Sequence, residues 1–462
     1  RIIRFEAEPN TTSNSADYNV IEKCTLQFSA RSSSSTSAGA YVVFGTSVSA
    51  TISTVSYNLG RFNKIEGNLM RTTNSNSPGP AFGICDNQST SSYTTTATAN
   101  EFKNNIIENF YYYGIYLRYT SGEIVEGNDI SRANTTSNNG YSYLYGIYSF
   151  YGYSSTSGPA KIVNNKIHDL PSKGVSATAA TNYIYGIYTS YMVGNANYRA
   201  IVASNTIENN KAYYYFYGTY HNRCNVFTAE KNSISYNECY LYYMYAMYSN
   251  YDTDTKILSN TIVGNNHSGY YFYGIYSYYD FGTIWNECSD NNISYNKCNG
   301  SSGYGLYGIY VASYTTTGDN WLIERNKIVE NEMLGYTYSY FYGIYAYYYV
   351  AAEINSNLIS YNRPNYVQMC IYFYTPSAGY NKNIHQNTIY QDNIKAGYSY
   401  RDLNGVYGGV YGGTHRINGN IIISLNSYSQ SPMYIYGQST GLEIDHNSYW
   451  DSNCTDNYWY NP

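Results

Sequence analysis

The chain has 462 residues and a formal net charge of −5, with only 12% of its residues charged. So sparse and slightly acidic a charge set offers no basic surface for nucleic acid, and the longest aliphatic run, near Asn420–Leu425 (NIIISL), falls far short of the roughly twenty apolar residues of a membrane helix. Tyrosine alone supplies 67 residues while the strong helix formers are scarce, which points to strands and turns rather than helices.

In chain order, Arg1–Glu8 (RIIRFEAE) reads as a strand within an irregular N-terminal coil or coils over 1–40; regular repeats are expected over 41–450 and an aromatic tail over 451–462, all in one domain, 1–462. Length does not force several domains, because repeat architectures grow by adding units. The start at Arg1, with no initiator Met and no signal peptide, suggests a processed or partial chain. Two motifs then alternate. One is tyrosine-rich around a glycine: YLYGIYSFY (Tyr143–Tyr151), YIYGIYTSY (Tyr183–Tyr191) and YFYGIYSYY (Tyr271–Tyr279). The other is aliphatic-x-x-Asn-x-Ile, as in IVNNKIHDL (Ile162–Leu170), ILSNTIVGNN (Ile257–Asn266) and IERNKIVEN (Ile323–Asn331). Each repeat is too short to bury its own apolar positions, so neighbours must stack on a shared core. Two strand segments per repeat, joined by polar stretches of variable length, describe the coil of a parallel β-solenoid. Several repeats near 28 residues are too short for a four-stranded propeller blade.

Aligning the repeats gives columns. Asn128, Asn165, Asn205, Asn232, Asn260, Asn291, Asn326, Asn357, Asn387, Asn420 and Asn447 form one of them. Asparagine tolerates the left-handed backbone of a bend, and stacked amides can hydrogen-bond along a ladder. A second column, Asn210, Asn237, Asn265, Asn296, Asn331 and Asn362, marks another bend. In the tyrosine motif the residue after Gly is mostly Ile and is expected inside. Its successor, Tyr116, Tyr148, Tyr188, Tyr220, Tyr248, Tyr276, Tyr310, Tyr345 and Tyr372, is then expected outside, as a ladder of rings about 4.8 Å apart. The column before Gly, Tyr113, Tyr145, Tyr185, Tyr217, Tyr245, Tyr273, Tyr307 and Tyr342, falls inside by strict alternation, unless the glycine permits a bulge that re-aims it.

This alternation of YGIY and Asn-x-Ile resembles the right-handed parallel β-helix proteins of the pectate-lyase-like class, and its flavour is similar to Tyr/Asn-rich secreted bacterial surface proteins. The resemblance covers about Tyr41 to Trp450 and implies a single right-handed parallel β-helix of about thirteen coils, roughly 60 Å long by strand spacing. It does not imply one activity, since the fold hosts lyases, hydrolases, tailspikes, adhesins and fibres.

Catalysis on such a face needs acids and bases clustered on adjacent coils. The column two before the ladder asparagine (Glu126, Val163, Ala203, Glu230, Leu258, Ser289, Glu324, Asn355, His385, Asn418, Asp445) and the next one (Lys231, Ser259, Asp290, Arg325, Ser356, Gln386, Gly419, His446) are mixed and read as solvated faces. IDHNS (Ile444–Ser448) fits the ordinary repeat, there is no Asp-Asp pair of the polygalacturonase kind, and DTDTK (Asp252–Lys256) reads as a solvated loop with too few ligands for calcium. His385, His415 and His446 occupy different columns. Eight cysteines without a CxxC pair disfavour zinc, leaving either disulfides in an exported chain or buried thiols. No catalytic residue, metal or cofactor is expected. The expectation is an extracellular or cell-surface structural or adhesive protein whose partner is itself, joined head to tail through open solenoid ends or through tyrosine faces. A carbohydrate-binding or polysaccharide-degrading β-helix is the alternative.

Overall fold

A computed structural model describes residues 3–5, 17–28, 40–44, 60–73, 79–87, 98–132, 143–170, 183–280, 285–300, 304–315, 319–334, 339–364, 366–377, 379–391, 402–425, 432–437, 441–451 and 459–461. Cys454 and most of the 1–40 and 451–462 segments lie outside them. Among the described residues every regular element is a strand, and the strands pair in parallel, so the protein is an all-β parallel solenoid. The chain divides into two compact units, Arg1–Ser233 and Ile234–Pro462, each of which repeats the same coil.

In the second unit a coil begins on a tyrosine strand, Tyr271–Tyr278, continues through Asn286–Ser289, Asn292–Ser294 and the two-residue Lys297–Cys298, and reaches the next tyrosine strand at Gly305–Ser313. Register sets like on like: Tyr273 on Tyr307, Ile275 on Ile309, Cys288 on Ile323, Ile293 on Ile328. The first unit is built likewise, with Tyr143–Tyr153, Lys161–Val163 and Lys166–His168 preceding Tyr183–Ser190. There Tyr145 lies on Tyr185 and Ile167 on Ile207. The repeat reaches back before Tyr41, since Val20–Glu22 and Thr25–Phe28 pair in register with Lys64–Glu66 and Leu69–Thr72.

Strands of three residues suffice because the corners between them are fixed. At the corner before Asn-x-Ile, Lys23, Asn104, Asn164, Ser204 and Lys231 in the first unit and Ser259, Asp290, Arg325, Ser356, Gln386 and His446 in the second have φ of 50° to 60°. The left-handed residue is thus the one before the ladder asparagine and not the asparagine itself, which corrects the expectation from sequence. These corner residues are the second mixed column, and Lys231, Ser259, Asp290, Arg325, Ser356 and Gln386 are exposed, as a solvated face requires. The asparagine is reserved for another task. The Asn260 N–H and Nδ2 both donate to Asn291 Oδ1 at 2.9 and 3.0 Å, while Asn291 Nδ2 donates to Ile257 O at 2.9 Å. The same three bonds recur through Asn326, Asn357, Asn387, Asn420 and Asn447. In the first unit the ladder runs through Asn128, Asn165, Asn205 and Asn232. It begins earlier than the sequence alignment placed it, at Asn68 and Asn105, with the Cys24 N–H donating to Asn68 Oδ1. The second column is a ladder too, from Asn237 through Asn265, Asn296 and Asn331 to Asn362. A third, short one, Asn19, Asn63 and Asn100, went unread in the sequence.

The core sits between the tyrosine strand and the Asn-x-Ile strand, and their approach explains the glycine of YGIY. A Cβ added at Gly274 would lie 2.6 Å from Gly308 O and 3.0 Å from Ile293 Cγ2. Among the described residues of the second unit, Ala246, Cys370 and Pro432 replace glycine in that column, by the register of the flanking residues. The described cysteines are all free, buried except Cys24, so the disulfide reading gives way to the thiol reading for these seven. Cys288, for one, takes an apolar position on Ile323, where a thiol packs as a small hydrophobe; Cys24 is exposed at the foot of the asparagine ladder.

Two substitutions test this account by denaturant unfolding. Asn296→Ala strands the backbone N–H of Asn265 and the carbonyl of Ile262, and leaves Asn265 Nδ2 with Ile234 O alone; at about 1–3 kcal/mol per buried group left unpaired it should cost at least about 2 kcal/mol, and a loss under about 1 kcal/mol would refute the ladder as a stabilising element. Gly274→Val should cost about 1–3 kcal/mol by overpacking against Ile293, with the smaller Gly274→Ala nearer the low end because Ala246 shows that one methyl is tolerated.

Candidate functional site

The tyrosine strands carry the most distinctive surface. Along Tyr271–Tyr278 the residues Phe272, Gly274, Ile275 and Ser277 are buried, whereas Tyr271, Tyr273, Tyr276 and Tyr278 are half-buried. Two consecutive inward residues, Gly274 and Ile275, break strict alternation and return both tyrosine columns to the same outer side. The column before Gly is therefore outward, through the bulge-like slip that glycine allows.

Both columns stack. In the first unit the ring centroids of Tyr116, Tyr148, Tyr188 and Tyr220 follow at 5.1, 4.8 and 4.9 Å. Those of Tyr113, Tyr145, Tyr185 and Tyr217 follow at 5.0, 4.7 and 4.7 Å. In the second unit Tyr248, Tyr276, Tyr310, Tyr345 and Tyr372 stack at 5.1, 4.7, 4.9 and 4.6 Å, and Tyr245, Tyr273, Tyr307 and Tyr342 at 4.9, 4.9 and 4.8 Å. The columns meet edge to face, as Tyr273 and Tyr276 do at 4.9 Å and 74°. Each interior ring thus has a neighbour on both faces, and what it leaves uncovered is its rim. Such pairs add about 0.5–1.5 kcal/mol beyond burial. Tyr116 departs from the outward reading: it is 5% exposed, enclosed with Ala40, Val43, Ala81, Phe82 and Cys85, so the open part of the face begins at Tyr148.

A further tyrosine column lies near or just past the end of the tyrosine strand. Tyr119, Tyr151 and Tyr191, and in the second unit Tyr251, Tyr279 and Tyr348, have φ of 54° to 59°. Left-handed backbone costs a residue with a Cβ roughly 1–2 kcal/mol. Stacking offsets that cost, at 4.9 Å for Tyr119 on Tyr151, 4.6 Å for Tyr151 on Tyr191 and 5.2 Å for Tyr251 on Tyr279. The Arg223 guanidinium continues the first of these stacks, 5.5 Å from the Tyr191 ring.

Charged groups outside this face are dispersed. His385 pairs with Glu353 at 3.2 Å, His446 with Asp445 at 2.7 Å, and His415 is buried against Gly412 O, so the three histidines lie at separate places. DTDTK is not a solvated loop: Thr253–Leu258 is a strand, and Asp252 is buried. The sequence did not single out His168, whose ring nitrogens contact Asp129 at 2.7 Å and Asp169 at 2.8 Å. The signal was there, because Asp129 and Lys166 share one column and Ser131 and His168 another. Asp129 and Asp169 hold the imidazole above its usual range, and with both nitrogens engaged it works as a clamp between coils. Among the described residues no group of three or more His, Cys, Asp or Glu side chains is placed to hold a metal ion, and no helix is long and apolar enough to cross a membrane. No protein-family model matches the chain, and neither does any curated protein.

Burial pushes the ladder phenols upward, Tyr145, Tyr276, Tyr310 and Tyr345 among them, with neighbouring phenols adding to the effect. Because the folded state keeps these protons, its stability is full below the ordinary tyrosine range near 10 and is lost as pH rises above it. Ultraviolet titration should show a large fraction of phenols silent at pH about 11 in the folded chain and ionised at that pH in denaturant, with their release coinciding with loss of the β-sheet circular-dichroism signal. Smooth, independent titration with the sheet intact would contradict the stacked, desolvated face.

Proposed function

We propose that the protein is a non-enzymatic structural or adhesive component of the cell exterior, which associates with further copies of itself through its tyrosine faces. The observation that supports this reading is the rim-outward lattice of rings, repeating every 4.6–5.1 Å between coils from Tyr248 to Tyr372. A surface with that repeat is commensurate with another parallel β surface, whose strands carry the same spacing of about 4.7–4.9 Å, and side chains of two such sheets can interdigitate. Broad aromatic surfaces are characteristic of association sites, and tyrosine is enriched in them. The likeness to Tyr/Asn-rich secreted surface proteins of the pectate-lyase-like fold class, read from YGIY and Asn-x-Ile, agrees with an exported, self-associating role.

Polysaccharide is the competing partner. Sugar rings bind aromatic side chains through the ring face, and here both faces of each interior tyrosine are taken by its neighbours, which counts against that mode. Sedimentation and electron microscopy of the full chain over a range of concentrations test the proposal. Assemblies are expected to grow with concentration and to be lost when Tyr278→Lys and Tyr347→Lys place like charges on the half-buried outer positions. Isolated particles at the highest concentration would sink it. Reproducible depolymerisation of an acidic or neutral polysaccharide would overturn the non-enzymatic reading.

A further inference from the structure

The second unit buries three aspartates on successive coils, Asp252, Asp280 and Asp319, each no more than 1% exposed. Two of them arise from one short pattern, Ser-x-x-Asp at the end of a tyrosine strand: Ser249 with Asp252, and Ser277 with Asp280. Ser249 lies on Ser277 in register. The Ser249 Oγ is 2.7 Å from Asp252 Oδ2 and 2.5 Å from Asp280 Oδ2, and Ser277 Oγ is 2.7 Å from the same Asp280 oxygen. Asp280 Oδ1 accepts the Asp252 N–H at 2.8 Å.

A count of protons decides what this arrangement holds. Ser249 has a single hydroxyl hydrogen and contacts two carboxyl oxygens, so it can donate to only one of them. The other contact is a hydrogen bond only if that carboxyl carries a proton and donates it to Ser249 Oγ. One consistent chain is Ser277 donating to Asp280, protonated Asp280 donating to Ser249, and Ser249 donating to Asp252. The mirror assignment puts the proton on Asp252. Either way the pair carries at least one. Asp319 extends the column. Its carboxyl oxygens have no hydrogen-bond partner within ordinary distance, and the groups acting on it are the Asp280 charge and the nearby Ser313 hydroxyl. For Asp280 they are Ser249, Ser277 and the Asp252 backbone. No cationic side chain is among them. A shared cation does not explain the contacts, because oxygens at about 2.3–2.6 Å around calcium stand farther apart than 2.5–2.8 Å.

We propose that Asp252, Asp280 and Asp319 form a buried proton-binding column, at which the folded second unit takes up protons that the unfolded chain releases. Burial raises Asp280 above the carboxylate range against the opposing effect of its hydrogen bonds, and burial together with the Asp280 charge pushes Asp319 up to about 9. With folded values above unfolded ones, the contribution is fully present below about pH 4 and declines as pH rises toward about 9. Each proton held lowers the folding equilibrium constant up to tenfold per pH unit across that window. Other buried groups of the unit slope the opposite way, since burial lowers His267 to about 3, Lys382 to about 7, and His415 below its usual value. The informative quantity is therefore the difference between the unsubstituted chain and a neutral variant.

Unfolding of the full chain should be followed from pH about 4 to about 9 for the unsubstituted protein, Asp319→Asn and Asp280→Asn. The advantage of each asparagine variant over the parent is expected to grow as pH rises, and superimposable pH profiles would overturn the proposal. Infrared spectroscopy of the unsubstituted chain supplies a readout that needs no variant to fold. Near neutral pH a protonated-carboxyl C=O band should be present in the folded protein, resist solvent exchange, and vanish on unfolding. Its absence from the folded protein would overturn the proposal equally.

Discussion

The structure depends on the requirement that no backbone group at a buried corner be left without a partner. A solenoid turns its chain inward at every corner, so N–H and C=O groups that a sheet would pair are carried into the core, where each unpaired one costs about 1–3 kcal/mol. The asparagine amide answers this in one residue. Its oxygen takes the N–H of the previous coil's asparagine, and its nitrogen covers a carbonyl one coil back, as Asn291 does for Asn260 and Ile257. Because every rung needs the rung beneath it, the ladder is satisfied only when the coils are in register. A slip would strand two amides at once.

That constraint propagates outward to the tyrosines. With the coils pinned in register, like residues repeat at strand spacing, and aromatic side chains then have no choice but to stack. The glycine that lets the tyrosine strand approach Ile293 also admits the slip that puts Tyr273 beside Tyr276 on one face. The same stacking tolerates a left-handed backbone at Tyr279 and Tyr251, a conformation that an isolated tyrosine would avoid. Interior packing, surface pattern and backbone strain are thus settled by one periodicity.

Much of this was legible in the sequence because the ladders demand a single residue type. Asn-x-Ile recurs since the short asparagine amide carries an accepting oxygen and a nitrogen with two hydrogens to donate on separate atoms, and each rung uses all of them. The left-handed corners were not legible. They ask only for a backbone conformation, and Lys231, Ser259, Asp290 and Gln386 all supply it, so the column looks like noise. The outward return of the Tyr113 and Tyr273 columns was left open for a related reason, since alternation is a rule for regular strands and the glycine interrupts it. The aspartate column was overlooked because Asp252 was read with the polar residues after it and not with Ser249 before it. Counting cysteines leaves disulfides and buried thiols both open, whereas the repeat positions of the buried ones, such as Cys288 stacked on Ile323, mark them as core residues.

One property of the ladders concerns direction. In each bond between two ladder asparagines the donor belongs to the earlier coil and the accepting oxygen to the later one, from Asn260 to Asn291 and from Asn265 to Asn296 alike. Parallel strands largely cancel their own dipoles, but these side-chain amides all point the same way and polarise one another. Each unit therefore carries a built-in electrical axis that is written in side chains. It distinguishes the amino-terminal sense of a stack from the carboxy-terminal sense, so adding a coil to one side of a ladder is chemically a different event from adding it to the other.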